Sequence, residues 1–202
     1  MQRRIVGGWE ASVGHREFIG AATVDANLAY KRGIGAFESM AASEEPFGEG
    51  TSRFALVTAD LNVNAPFKLA EQSLRYVGSV RIQNNRKSLT PQGRFAIGGR
   101  YTVRGFDGEI SLSAERGWML RNELGIALGA TGQEFYLGLD HGEVAGPSSE
   151  LLVGKRLTGA VLGLRGQFKA LQYDIFVGIP VRKPEFFRTA RSATGFNLNL
   201  SF

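Results

Sequence analysis

Residues 55–84 read ALVTADLNVNAPFKLAEQSLRYVGSVRIQN, and they alternate. Val57, Ala59, Leu61 and Val63 share one parity, and Thr58, Asp60, Asn62 and Asn64 the other. After a short link from Pro66 to Glu71, Leu74, Tyr76, Gly78, Val80 and Ile82 alternate with Ser73, Arg75, Ser79, Arg81 and Gln83. Successive side chains of a strand point to opposite faces, so a period of two sustained this long predicts paired strands, each with an apolar and a polar face.

The pattern extends in both directions. Ile5, Gly7, Trp9, Ala11 and Val13 begin it, followed by Ala22, Val24, Ala26, Leu28 and Tyr30. Beyond the quoted stretch come Trp118, Leu120, Leu124, Ile126 and Leu128, then Phe135, Leu137 and Leu139, then Ala160, Leu162, Leu164 and Phe168. Leu171, Tyr173, Ile175, Val177 and Ile179 form the eighth segment, and Phe196, Leu198, Leu200 and Phe202 the ninth. Most of these segments have nine to thirteen residues. Strands of soluble proteins average about 5–6 residues, whereas a tilted strand crossing a bilayer needs about 9–11. The apolar face runs the full length of nearly every segment and the other face carries charges at mid-strand. Lipid on one side and a hydrated lumen on the other account for both. Phe18, Tyr30, Phe54, Trp118, Phe135, Phe168 and Phe202 lie near strand ends, as interfacial aromatic girdles do. The expected fold class is therefore all-β: an antiparallel transmembrane β-barrel.

The connections alternate too. Short links at Ile19-Gly20, Pro66 to Glu71, Gly129 to Gln133 and Lys169-Ala170 interleave with long ones at 34–53, 85–117, 143–157 and 182–193. In outer-membrane barrels the short turns are periplasmic and the long loops extracellular.

Composition sets further bounds. The 202 residues are 43% hydrophobic, enough for one domain, and include 27 glycines but only 6 prolines, which predicts glycine inside strands or in a long irregular loop. The absence of cysteine rules out disulfides and thiolate metal sites. A net charge of +5 without basic, aromatic-interleaved runs gives no nucleic-acid face. No stretch approaches the about 18 apolar residues of a membrane helix, and no apolar segment of a signal peptide follows Met1 to Arg4. An odd strand count places the two chain ends on opposite sides, whereas single-chain bacterial barrels have even counts. We therefore expect residues 1–202 to be the C-terminal portion of a larger barrel.

One long link stands apart. Residues 85–117 barely alternate, yet Phe95-Ala96-Ile97, Tyr101-Thr102-Val103 and Phe106 are too apolar for a solvated loop. Gly98, Gly99, Gly105 and Gly108 permit tight folding, so a compact loop packed against something is expected. The run FAIGGRYTVRGF at 95–106 closely resembles the VRGF/VRGY loop of the BamA-type outer-membrane superfamily. Its continuation, Asp107-Gly108-Glu109, Ser113 to Trp118 and Arg121 to Leu124, resembles the two-partner secretion transporters of the ShlB/FhaC/HecB branch. The similarity continues through Leu139 to Gly142, Gly146-Pro147-Ser148, Leu157 to Val161 and Gly195 to Leu198.

The resemblance implies a 16-stranded barrel of which these would be the last nine or so strands, with loop 85–117 as the sixth extracellular loop folded into the lumen. The family's periplasmic POTRA domains, plug helix and first strands have no counterpart in the sequence. It also implies that Gly98, Gly99, Val103, Arg104, Gly105, Phe106 and Glu109 form the functional loop motif. Asp140 and Gly142 would form the strand motif that anchors it, with Arg104 paired to Asp140. Phe202 resembles the C-terminal signal read by the barrel-assembly machinery. The implied partners are a secreted exoprotein, unfolded in transit, and the lipid bilayer; no cofactor is implied. Two other readings stand beside export: an assembly factor of the BamA type and a soluble ligand-binding β-barrel.

Catalysis finds no support in the sequence. His15 and His141 are the only histidines, both on the outward parity, and neither G-x-S-x-G nor H-E-x-x-H occurs, so no hydrolase or metal site is expected. Glu10, Asp25, Asp60, Glu123, Asp140 and Asp174, together with Arg75, Arg81, Arg121 and Arg165, read as a mixed-charge pore wall. Glu44-Glu45 and Pro184 to Arg188 read as exposed loops.

Overall fold

The computed structural model describes residues 7–34, 50, 51 and 53–201. Strands β1 (Gly7–Ile19), β2 (Ala22–Ile34), β3 (Ala55–Leu69) and β4 (Gln72–Asn84) are followed by the short β5 (Phe95–Ile97) and β6 (Leu112–Ala114). Then come β7 (Arg116–Ala127), β8 (Gln133–Ala145), β9 (Arg156–Phe168), β10 (Leu171–Arg182) and β11 (Ala193–Leu200). The nine long strands form one antiparallel meander in the order β1-β2-β3-β4-β7-β8-β9-β10-β11. Consecutive long strands are neighbours throughout; where the link is short the turn reverses the chain in register, as in Ile19↔Ala22 and Leu69↔Gln72.

Some boundaries differ from the alternation reading. β3 does not stop at Pro66 but runs to Leu69 and turns at Ala70, whose φ is 52°. The β2 ladder along β3 ends at Asn64, so Pro66 lies where β3 has a single neighbour and its missing N–H breaks no ladder. β8 extends to Ala145 and β9 starts at Arg156, which shortens the third long link. The 85–117 loop holds its own hairpin, β5 with β6, paired from Phe95↔Ala114 to Ile97↔Leu112.

The two faces separate as the pattern requires. On β8, Leu137 and Leu139 are 58% and 53% exposed, while Tyr136 and Asp140 on the opposite parity are 1% and 0% exposed. Exposed Leu61, Ile82, Leu124, Leu162, Ile175 and Val177 continue the outward face. Its polar exceptions are satisfied: Tyr76 Oη donates to Asn122 Oδ1 (2.7 Å), and Asn122 Nδ2 donates to the Leu139 carbonyl (3.2 Å). Core packing lies on the other face, where the loop sits. Phe95, Ile97, Val103, Phe106, Leu112 and Ala114 of the loop are buried against Met119, Val144 and Leu157 of the sheet and Phe187 of the β10–β11 loop.

If the outward face meets lipid, Leu139→Arg at mid-β8 should destabilise the folded barrel by about 2–4 kcal/mol. Urea titration of the vesicle-embedded protein measures this; an effect below about 0.5 kcal/mol would contradict the facial assignment.

Candidate functional site

The loop lies on a floor of glycines. Gly138 and Gly142 of β8, Gly159 of β9 and Gly178 of β10 all point inward beneath it. A methyl group at Gly142 would come within 2.9 Å of the Ile97 and Val103 side chains, and one at Gly178 within 2.8 Å of Gly105 backbone atoms. At Gly159 it would overlap the Arg104 carbonyl. Gly105 itself has φ 99° and abuts the Ile179 carbonyl, so both its conformation and its space exclude a side chain. The glycines thus let main chain pack on main chain, which is what brings the loop tip down onto the sheet.

That approach delivers Arg104 into a nearly dry pocket, where it is 3% exposed. Its Nε and Nη2 donate to Asp140 Oδ2 (2.6 Å) and Oδ1 (2.7 Å), a bidentate fork, and its backbone N–H adds a third bond to Oδ2 (3.0 Å). Its Nη1 donates to Glu123 Oε1 on β7. The pair is one end of an alternating chain of charges. Arg165 bridges Glu123 (2.9 Å) and Glu134 (2.7 Å), and Arg75 clamps Glu134 through two bonds of 2.8 Å. Arg121 stands 3.7 Å from Asp140 and 3.9 Å from Glu123. Tyr136, under the Arg165 guanidinium, donates to Asp174 (2.8 Å). Buried charges persist only when paired and hydrogen-bonded, and here Asp140, Glu123 and Glu134 each face an arginine.

The rest of the motif folds around this contact. Thr102 Oγ1 accepts from the Gly98 (3.2 Å) and Gly99 (3.0 Å) amides, closing the turn ahead of the tip. Val103 and Phe106, flanking Arg104 and Gly105, are buried. Among the described residues Glu109 takes part only through its amide, which donates to Asp107 Oδ1 (3.1 Å). Phe202 lies outside the described residues, as do Glu44 and Glu45. His15 is exposed beside Glu17, and His141 pairs with Thr158 Oγ1 (2.8 Å) on the outward face against Trp118. Among the described residues no group of His, Asp and Glu could hold a metal ion.

Three features escape sequence reasoning, and one of them is Phe187, 1% exposed within the Pro184 to Arg188 segment that reads as an exposed loop. Glu123 reads as one pore-wall carboxylate among several, because nothing local marks it as a second partner of Arg104. Glu115, 0% exposed at the base of the loop, accepts from the Ser148 amide (3.0 Å) and hydroxyl and lies 3.7 Å from Arg94. It ties the loop to the turn after β8. Burial alone would raise its pKa, but the Ser148 bonds and the Arg94 charge outweigh this and hold it below the ordinary glutamate value.

An antiparallel meander with a lipid-type outer face and a loop pinned by buried charge on its inner face belongs to the class of outer-membrane β-barrel transporters. Within that class, the chain belongs to the family described as haemolysin secretion/activation protein ShlB/FhaC/HecB, whose model matches residues 1–166. It is 40% identical over 200 residues to the outer membrane transporter CdiB-2 of Burkholderia pseudomallei, covering 96% of this chain and 34% of that protein. Identity to the outer membrane transporter CdiB of Dickeya dadantii is 24% over 194 residues, covering 94% of this chain and 34% of that protein. Among solved structures, CdiB from Acinetobacter baumannii superposes with a TM-score of 0.84 at 35% identity, covering 98% of this chain and 34% of that one. CdiB from Escherichia coli gives 0.87 at 19% identity, over 98% and 37%, and bears on the fold alone. The chain thus spans about a third of the length of these relatives. It is a bacterial outer-membrane chain of a translocator family rather than an enzyme family.

Gly159→Ala should lift the Arg104 main chain and weaken its carboxylate contacts, at a cost of about 3 kcal/mol. Gly14→Ala, whose added methyl would have no neighbour nearer than 3.7 Å, should be neutral. Thermal loss of the heat-modifiable folded band measures both. Because the folded Glu115 pKa is depressed, its contribution is present above the ordinary value and is lost as pH falls through the folded one. Hydrogen-exchange protection of the 146–149 turn, corrected for intrinsic rates, should therefore drop at acid pH in the parent, and Glu115→Gln should abolish that pH dependence.

Proposed function

We propose that this chain supplies the last nine strands of an outer-membrane translocator that secretes a large exoprotein, such as an adhesin, a haemolysin or a contact-dependent toxin, by the two-partner route. In this reading the charged face is the lumen wall, the short turns are periplasmic, and the loop that carries Arg104 folds into the pore from outside. The exoprotein passes unfolded along a hydrated, mixed-charge wall, which offers no apolar surface to trap it. No nucleotide or cofactor takes part. Gly98, Gly99, Val103, Gly105 and Phe106 shape the loop, Gly142 makes room for it, and Arg104 with Asp140 holds its tip. Phe202 serves insertion by the barrel-assembly machinery.

The observation that carries the reading is the convergence of family membership with a loop arginine buried against two inner-face carboxylates. A loop that merely decorated the surface would not enclose the Arg104 guanidinium in the sheet's charge network.

Secretion of the exoprotein into the medium tests it. Arg104→Asp and Asp140→Arg should each reduce secretion about tenfold or more, since breaking a buried pair costs about 3–5 kcal/mol. The double exchange should recover secretion best in a Glu123→Gln background, because Glu123 would otherwise repel Asp at position 104. If the exchange secretes no better than either single change in that background, the pairing does not serve export.

A further inference from the structure

The loop tip is held from a second side. Immediately after Phe106, the exposed Asp107 carboxylate accepts from the Ala190 amide through Oδ2 (2.6 Å), and the Asp107 amide reaches Thr189 Oγ1 at 3.5 Å. The Phe106 ring meets Phe187 edge to face, with centroids 5.8 Å apart and planes at 84°. Phe187 is 1% exposed although its neighbour Phe186 is 75% exposed, so one of two adjacent phenylalanines is inserted into the loop's apolar cluster. The segment is shaped for this insertion. Phe187 N–H donates to the Pro184 carbonyl (3.1 Å), Lys183 Nζ donates to the Phe187 carbonyl (2.6 Å), and the Pro184 ring lies over Gly154. The Ala190 contact also holds the Asp107 carboxyl below the usual aspartate value.

These contacts are distinct from those of Arg104. The arginine is tied to strands β7 and β8, whereas Asp107 and Phe106 are tied to the β10–β11 loop. The tip is thus held in the charge network and at the long-loop end, while ahead of it Arg100 Nη2 donates to the Phe196 carbonyl on β11. The first two attachments lie on either side of Gly105, so the second fixes the chain beyond Gly105, which Arg100 and Arg104 alone leave free to pivot.

We propose that residues 183–190 are a clasp that positions the loop tip, with Asp107 and Phe187 as its positioning residues, and that the clasp sets how often the loop leaves the lumen. This rests on the reading of the loop as a pore-filling element. Opening the clasp frees the tip to pivot about Arg104, and the pore leaks without any change to the barrel wall.

The test uses the intact outer-membrane protein that carries these residues and follows entry of vancomycin, which is too large to cross an intact outer membrane. Heat-modifiable migration reports barrel folding in the same cells. Asp107→Ala should fold like the parent and raise vancomycin sensitivity about tenfold, the population change expected on losing a hydrogen bond to a charged group. Ala190→Pro, which removes the donated amide and also restrains the backbone at Thr189 and position 190, should reproduce it, and Asp107→Asn should fall between. Phe187→Ala should leak at least as much; if that buried substitution prevents folding, the exposed Asp107→Ala decides. Parental sensitivity in a folded Asp107→Ala barrel overturns the clasp. So does a tight Ala190→Pro beside a leaky Asp107→Ala, because Asp107 would then act through its own turn with Glu109. Vancomycin entry needs no exoprotein, so a chain that leaks on loss of the clasp but exports nothing keeps the clasp and sinks the secretion reading. A chain that exports while its clasp variants stay tight does the reverse.

Discussion

The structure depends on one buried guanidinium. Arg104 is almost fully withdrawn from water, and an isolated cation there would be costly enough to expel the loop. Asp140 takes it in a bidentate fork and Glu123 takes the remaining nitrogen, so the donors are spread over carboxylates from two adjacent strands. Arg121 and Arg165 stand beside the same two carboxylates, so the arginine joins a charge network already built into the wall. Loop and wall are therefore mutually conditional: the loop's place on the inner face and the charge pairing of the wall beneath it are one electrostatic arrangement.

That arrangement requires close approach, and glycine provides it. A guanidinium can form a fork only if its own backbone comes within a residue's reach of the sheet, and the Arg104 carbonyl sits where a Gly159 side chain would be. Gly138, Gly142 and Gly178 complete the floor. Such residues weaken a strand, because they bring backbone entropy and no packing of their own. Here the loop replaces the missing side chains: Val103 and Ile97 occupy the space above Gly142, and Gly105 the space above Gly178. The strands and the loop are thus incomplete surfaces that complete each other.

Around this contact the elements at the long-loop end interlock. Glu115 reaches the turn after β8, Pro184 covers Gly154, and Phe187 enters the cluster built from β5, β6 and the tip. At the other end of the sheet, turns as tight as Gly20-Ala21 and Lys169-Ala170 carry no such packing. The loop is thus anchored at one end of the sheet, and the opposite end is left polar around Gln133, Gln167, Gln172 and Asn199.

Alternation by itself determined the nine strands, their order and their faces, because a period of two is a local property and short turns leave antiparallel neighbours little choice. Val57 to Ile82 already contain that answer, and the boundary differences at Pro66, Ala145 and Arg156 arise where a strand outlasts its apolar pattern and the ladder alone continues it. Arg104 and Asp140 were nameable because their motifs resemble a family's. Glu123, Glu115 and Phe187 were not, since each owes its role to a partner from 19 to 81 residues away. No residue's own neighbours say which of several inner-face carboxylates will meet a loop arginine, or which of two consecutive phenylalanines will be buried. Those choices exist only once the sheet has brought β7, β8 and β10 beside the same loop.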